Sequence, residues 1–289
     1  MTFNDDANIK GGRVSRRAKG GIAIGGGGGL VVLAVVLISA FTGVDLTGFL
    51  GGGGGGGGSE QGAPLTQCET GADANARTDC RMQAAATALD DYWVTQMDGY
   101  VQPQVALFEQ SVPTGCGQAS SAVGPFYCPP DETIYLDTSF FALLEQQLGG
   151  SDDPLAQLYI VGHEWGHHIQ NITGQMNNLD LQDTGPDSDG VRLELQADCY
   201  AGAWIGDLED QTDADGTRYV EPITQQQLAE ALEAAEAVGD DHIQESTSGQ
   251  VQPETWTHGS SAQRQRWFEI GHSGGPQSCD TFSVDGSQL

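Results

Sequence analysis

The reading starts from QLYIVGHEWGHHIQN, residues 157–171, and from VRLELQADCYAGAW, residues 191–204. In the first stretch His163 and His167 stand four apart, so a helix projects both imidazoles from one face toward one cation. Glu164, about 100° further round, reaches a metal-bound water instead of the metal. The flanking Leu158, Ile160, Val161 and Ile169 make the helix a buried one, and buried histidines need partners. The bland reading, two surface histidines on a helix, fits those apolar flanks poorly.

A metal site of this kind needs a third protein ligand and leaves the fourth position to water. The longer pattern with Gly at 170 and His at 173 is excluded, because Gln170 and Thr173 stand there. The second stretch offers Glu194 and Asp198, again four apart on one helical face among Leu193, Leu195, Ala197, Ala201, Ala203 and Trp204. Buried carboxylates without a cation are costly, and a metal accounts for both. Glu194 is expected as the third ligand, and Asp198 as the acceptor of a ligating histidine's other ring N–H. Arg192 is a candidate partner for either carboxylate. The alternative is an acidic solvent face in an acidic protein.

The chain has 289 residues, with 11 Lys+Arg against 40 Asp+Glu and a formal net charge of -29. That balance argues against a nucleic-acid partner, since phosphate contacts need clustered positive charge. Five of the basic residues, Lys10, Arg13, Arg16, Arg17 and Lys19, lie in residues 1–20. Beyond residue 42 there are six Arg, no Lys and 38 Asp+Glu. Between these halves runs an uncharged span of 25 residues, Gly20 to Val44, whose strongest part is LVVLAVVLISAF, residues 30–41. About 20 apolar residues cross a bilayer as a helix, and basic residues before the span place the N-terminus inside. The expectation is a basic cytoplasmic head (1–20), a transmembrane signal-anchor (21–44), a Gly-rich tether (45–67) and an exported domain (68–289). It makes the protein single-pass in the cell membrane, with the domain facing out. A signal peptide cleaved after Ala40 is the alternative.

All six cysteines, Cys68, Cys80, Cys116, Cys128, Cys199 and Cys279, follow the span, as disulfides in an oxidising compartment would. Two pairs are twelve apart, Cys68 with Cys80 and Cys116 with Cys128, which leaves Cys199 with Cys279. Helices are expected over 75–97, 139–148, 152–172, 191–208, 224–238 and 261–270, and TIYLD (133–137) is the best strand. It is the candidate edge against which an extended substrate pairs. The fold class expected is mainly α (α+β), with a small edge-strand element and disulfide staples. His168, His242 and His272 lack partner spacing and are not expected to ligate metal. The acidic loops at 180–189 and 213–216 fall short of the twelve-residue calcium pattern.

A third stretch, WTHGSSAQRQRWF (256–268), completes a pattern with HEWGHHIQ and VRLELQADCYAGAW. Together with the apolar head they resemble the putative neutral zinc metallopeptidases of bacterial membrane-anchored proteins, over most of residues 68–280. The paired H-E-x-x-H and E-x-x-x-D also resemble the gluzincin peptidases. The resemblance implies a zincin-like fold, a Zn²⁺ cofactor held by His163, His167 and Glu194, Glu164 as base, and a peptide or protein substrate. It further implies that His258, with Arg264 or Arg266, lines the site, where a donor could steady an oxyanion; a helix-capping loop is the equal alternative. Two rivals stand beside the peptidase reading. One is a non-catalytic acidic ectodomain, which the intact Glu164 disfavours. The other is a zinc hydrolase of non-peptide envelope amides.

Overall fold

The computed structural model describes residues 2–11, 14–17, 62–141 and 153–289. The expected membrane span and most of the Gly-rich tether lie outside them. Among the described residues, no helix is long and apolar enough to cross a membrane. The structure is mixed α/β, with more sheet than the small strand element expected. Among the described residues, seven helices of six residues or more accompany a five-stranded sheet and a separate hairpin.

In chain order these are β1 (Val14–Arg16), β2 (Ala63–Pro64), α1 (Gly71–Ala76), α2 (Thr78–Gln96), β3 (Gln104–Phe108), β4 (Ser111–Thr114), β5 (Gly117–Ser120), β6 (Phe126–Cys128) and β7 (Thr133–Asp137). Then follow α3 (Pro154–Ile172), α4 (Asp189–Asp207), α5 (Gln225–Ala237), α6 (Asp240–Ser248) and α7 (Ser261–Gly274). The sheet order is β2-β1-β3-β7-β6. The β1–β3 and β3–β7 pairs are parallel, whereas the outer pairs β2–β1 and β7–β6 are antiparallel. TIYLD is therefore not an edge: β7 pairs on both sides and all five of its residues are buried. The edge on this side is β6.

Most strands in the Gly- and Pro-punctuated stretch before residue 130 escaped the periodicity reading because they are three to five residues long. Alternation over so few positions carries little signal. The expected helix over 75–97 divides at Arg77, whose backbone is extended and whose guanidinium turns to the Gln67 carbonyl and the Cys68–Cys80 sulfurs. Helix α6 was not foreseen, and only the first residues of the 139–148 helix are described. Thr224 and Ser260 cap α5 and α7 through reciprocal bonds with Gln227 and Gln263.

The described part of the basic head belongs to this fold. Phe3, Ala7, Ile9 and Val14 lie in the main core with residues of α2, α3 and β3. Burial of each of Phe3, Ile9 and Val14 contributes about 1.5–3 kcal/mol. These residues thus share one core with the residues after Cys68.

Helix α4 lies between α3 and α7, and glycines set how closely the three approach. A Cβ at Gly166 would stand 2.9 Å from the Ala197 Cα, and one at Gly271 would collide with the Cys199 carbonyl. Gly271→Ala should therefore force α7 off α4. Overpacking of about 1–3 kcal/mol should lower the melting temperature by roughly 3–10 °C, and an unchanged thermal transition would count against this packing. The three disulfides are Cys68–Cys80, Cys116–Cys128 and Cys199–Cys279, as the spacing led us to expect.

Candidate metal centre

The apolar faces of α3 and α4 bury against each other, and this brings His163, His167 and Glu194 together. One ligand atom from each lies within 4.8 Å of the others. The His163 Nε2 is 3.2 Å from Glu194 Oε2, and the His167 Nε2 is 3.4 Å from Glu194 Oε1. All three side chains are buried.

Each imidazole is held from behind. The His163 Nδ1–H donates to Asp198 Oδ1 at 2.8 Å, and the His167 Nδ1–H donates to Gln170 Oε1 at 2.9 Å. The Gln170 amide is itself fixed, because its Nε2 donates to the Leu193 carbonyl at 2.7 Å. Both histidines therefore turn an Nε2 lone pair toward the Glu194 carboxylate. Acceptors converging in a buried space require a cation or a proton between them. Among the described residues nothing hydrogen-bonds Glu194 Oε1, and the His167 Nε2 stands 3.4 Å from it. This donor set, two neutral imidazoles and one carboxylate, fits zinc and leaves a coordination position for water.

Electrostatics agree with that fit. Burial disfavours a charged His163, but Asp198 and then Glu194 outweigh it and hold its pKa up at about 10 in the metal-free protein. Burial likewise opposes the ionised forms of Glu194 and Asp198. The neighbouring His167 and His163 nonetheless pull Glu194 well below the usual carboxylate range, and Arg264 and His163 lower Asp198. Glu164 behaves oppositely: burial raises it above its ordinary value, in spite of the two histidines and the Tyr127 amide of β6.

Asp198 is the centre of a network whose further members the sequence reading placed elsewhere or missed. Its Oδ1 accepts from His163, from the Tyr159 hydroxyl at 2.6 Å and from the Arg264 guanidinium at 2.9 Å. Arg264 also donates to the Tyr159 oxygen at 3.2 Å and is almost wholly buried. It lies on the Nδ1 side of His163, the side that faces Asp198. Arg266 is exposed. Arg192 does not pair with Glu194 or Asp198, because its guanidinium donates to the Thr281, Val284 and Asp187 carbonyls. Tyr159 stands four residues before His163 and Gln170 three after His167, so helical spacing alone could have marked both.

His258 is buried and electrostatically coupled to Glu194. Its Nδ1 is 2.8 Å from Thr257 Oγ1 and 3.4 Å from Asp240 Oδ1. The other Asp240 oxygen accepts the backbone N–H groups of Thr257, His258 and Gly259 at 2.7, 2.7 and 3.1 Å. Gly259 has φ +89°, the left-handed turn that starts the approach to α7. Burial opposes the charged form of His258, but Asp240 and Glu194 raise its pKa. Asp240 carried no spacing signal, since it meets His258 only through the packing of α6.

Among the described residues, the group that could hold a metal includes His163 and His167 and none of the other histidines. His168 lies on the other face of α3, its Nε2–H donating to the Val101 carbonyl at 2.6 Å and its Nδ1 facing the Tyr127 hydroxyl at 3.0 Å. Asp213 closes its own loop by accepting the Asp215 and Thr217 amides, and it also accepts the Asn8 amide.

Two buried histidines one turn apart on α3, and a glutamate on α4, form a His-His-Glu group that could hold a metal ion. The chain belongs to the putative neutral zinc metallopeptidase family, which it matches over residues 3–282. It is 49% identical to the uncharacterized protein Rv2575 of Mycobacterium tuberculosis over 225 residues, 77% of each chain. It is 35% identical to the uncharacterized protein YpfJ of Escherichia coli K12 over 288 residues, 92% of this chain and 93% of that one. No solved structure matches it.

Proposed function

We propose that this protein is a zinc-dependent peptidase in which His163, His167 and Glu194 hold the metal and Glu164 is the general base. The observation that carries the reading is the convergence of three ligand atoms within 4.8 Å, with Glu164 buried beside them on the same helix. The family description supports the same chemistry. Zinc, when bound, supplies Lewis acidity that polarises a scissile carbonyl and acidifies water. Glu164 takes the proton of the attacking water and delivers it to the leaving amine. His258, oriented by Asp240, donates toward the oxygen that gains charge. β6 is the strand beside which an extended peptide aligns, since its Tyr127 amide already reaches Glu164. Three disulfides, using all six cysteines, support a site of action in an oxidising compartment outside the cytoplasm.

The test is metal content together with cleavage. Protein purified without chelator should carry close to one zinc per chain and cleave members of a diverse peptide pool, and chelation should abolish cleavage. Glu194→Ala should lose most of its zinc, because two imidazoles alone make a weak site. Full zinc retention in that variant would overturn the ligand assignment. Zinc binding without cleavage of any peptide would overturn the peptidase reading.

A further inference from the structure

We infer that residues 2–17 are an integral part of the zinc-binding domain, and that the head and the domain therefore occupy the same side of any membrane the protein meets. The two ends of the intervening segment lie side by side. β1 and β2 are hydrogen-bonded neighbours, with Ser15 opposite Pro64 and Arg16 opposite Ala63. β1 also pairs in parallel with β3, Val14 to Arg16 against Val105 to Leu107, and so stands inside the sheet. Whatever path residues 18–61 take, they leave the domain at β1 and rejoin it at the adjacent strand. A single crossing would put the two strands on opposite sides of the bilayer. A return to the starting side is required.

The head is fitted to its seat by specific contacts. The Phe3 amide and carbonyl are both held by the Asn75 side chain, at 2.8 and 2.9 Å. The Asn8 amide donates to Asp213 at 2.7 Å, and the Ile9 carbonyl accepts from the buried Gln83 at 2.8 Å. Further bridges join Phe3 to Val220 and Asn8 to Thr70. Gly71 approaches the Asn4 carbonyl so closely that a Cβ there would overlap it. A seat that uses Asn75, Gln83, Asp213 and a glycine is made for this occupant.

The same contacts give the basic residues another purpose. The positive-inside rule reads such a cluster as an orientation signal. Here Lys10 pairs with Glu69 at 2.8 Å and Arg16 with Asp79 at 2.6 Å. Arg17 lies over the Tyr135 ring and donates to its hydroxyl at 2.6 Å. Three of the five basic residues of the head are thus matched to groups of an acidic domain. Their charge is accounted for without a cytoplasmic location.

The experiment uses the full-length chain in the membrane of a bacterial host. All six native cysteines are paired, so one added cysteine is the only target for a membrane-impermeant maleimide. Asp6→Cys probes the head and Glu254→Cys the domain, both at exposed positions. The two variants should label alike, either both in intact cells or both only after permeabilisation. Labelling of one in intact cells, and of the other only after permeabilisation, would overturn the inference. Phe3→Asp, compared with the exposed Thr2→Asp, should lower the melting temperature of the purified protein by about 5–10 °C. An equal melting temperature in these two variants would show that the head is not part of the fold. Neither readout depends on zinc or cleavage, so failure here is distinct from failure of the peptidase reading.

Discussion

Glu164→Gln should leave zinc content unchanged and reduce kcat by about 10²–10⁴-fold, the range of a positioned general base. Glu164 is outside the His163–His167–Glu194 ligand set, and glutamine nearly preserves its shape while removing its basicity. The substitution also replaces a buried carboxylate with a neutral amide, so thermal stability should hold or rise. The assay is a zinc titration beside steady-state kinetics on one cleaved peptide. Loss of zinc comparable to that in His163→Ala would assign Glu164 to the ligand set instead. Retained turnover would remove it from the chemistry.

Arg264→Met should produce the largest loss of stability at the centre. It removes the cation that faces Asp198 where both groups are almost wholly buried, 2.9 Å apart. Breaking a buried pair from one side costs about 3–5 kcal/mol, because an uncompensated charge stays behind. Zinc affinity should fall by about 10–100-fold, as it does when the group orienting a ligating imidazole is disturbed. A second substitution, Asp198→Asn, removes the stranded charge and should recover much of the stability of Arg264→Met without restoring zinc affinity. Chemical denaturation and competitive zinc titration separate these outcomes. A stability loss under 1 kcal/mol in Arg264→Met would show that the pair is solvated.

The site was legible in the sequence wherever helical spacing carried it. Four-residue intervals gave His163 with His167 and Glu194 with Asp198, and apolar flanks showed that both helices are buried. The partners that enter from a third element were not legible. Arg264 and Asp240 reach the centre because α7 and α6 pack where they do, and no interval in the chain encodes that distance. The cysteine pairing was readable because two intervals of twelve left one remaining pair. The sheet was not, because β1 pairs with residues 47 and 49 positions later in β2 and 91 positions later in β3. The charge pattern of residues 10–19 carries two readings. It matched a rule about membranes, while part of its electrostatic counterpart lay in Glu69 and Asp79 of the same domain.

Helix α4 is gripped from the far end of the chain, by the Cys199–Cys279 bond and by Arg264 against Asp198. This imposes a timetable on biosynthesis. All three ligating residues have been made once residue 194 is added, yet the counter-ion of Asp198 arrives 70 residues later. The last disulfide must wait for residue 279. A growing chain, or one truncated before Ser260, carries every zinc-ligating side chain without the groups that fix their aim. The packed His-His-Glu group is thereby completed only once the chain has been made nearly to residue 279.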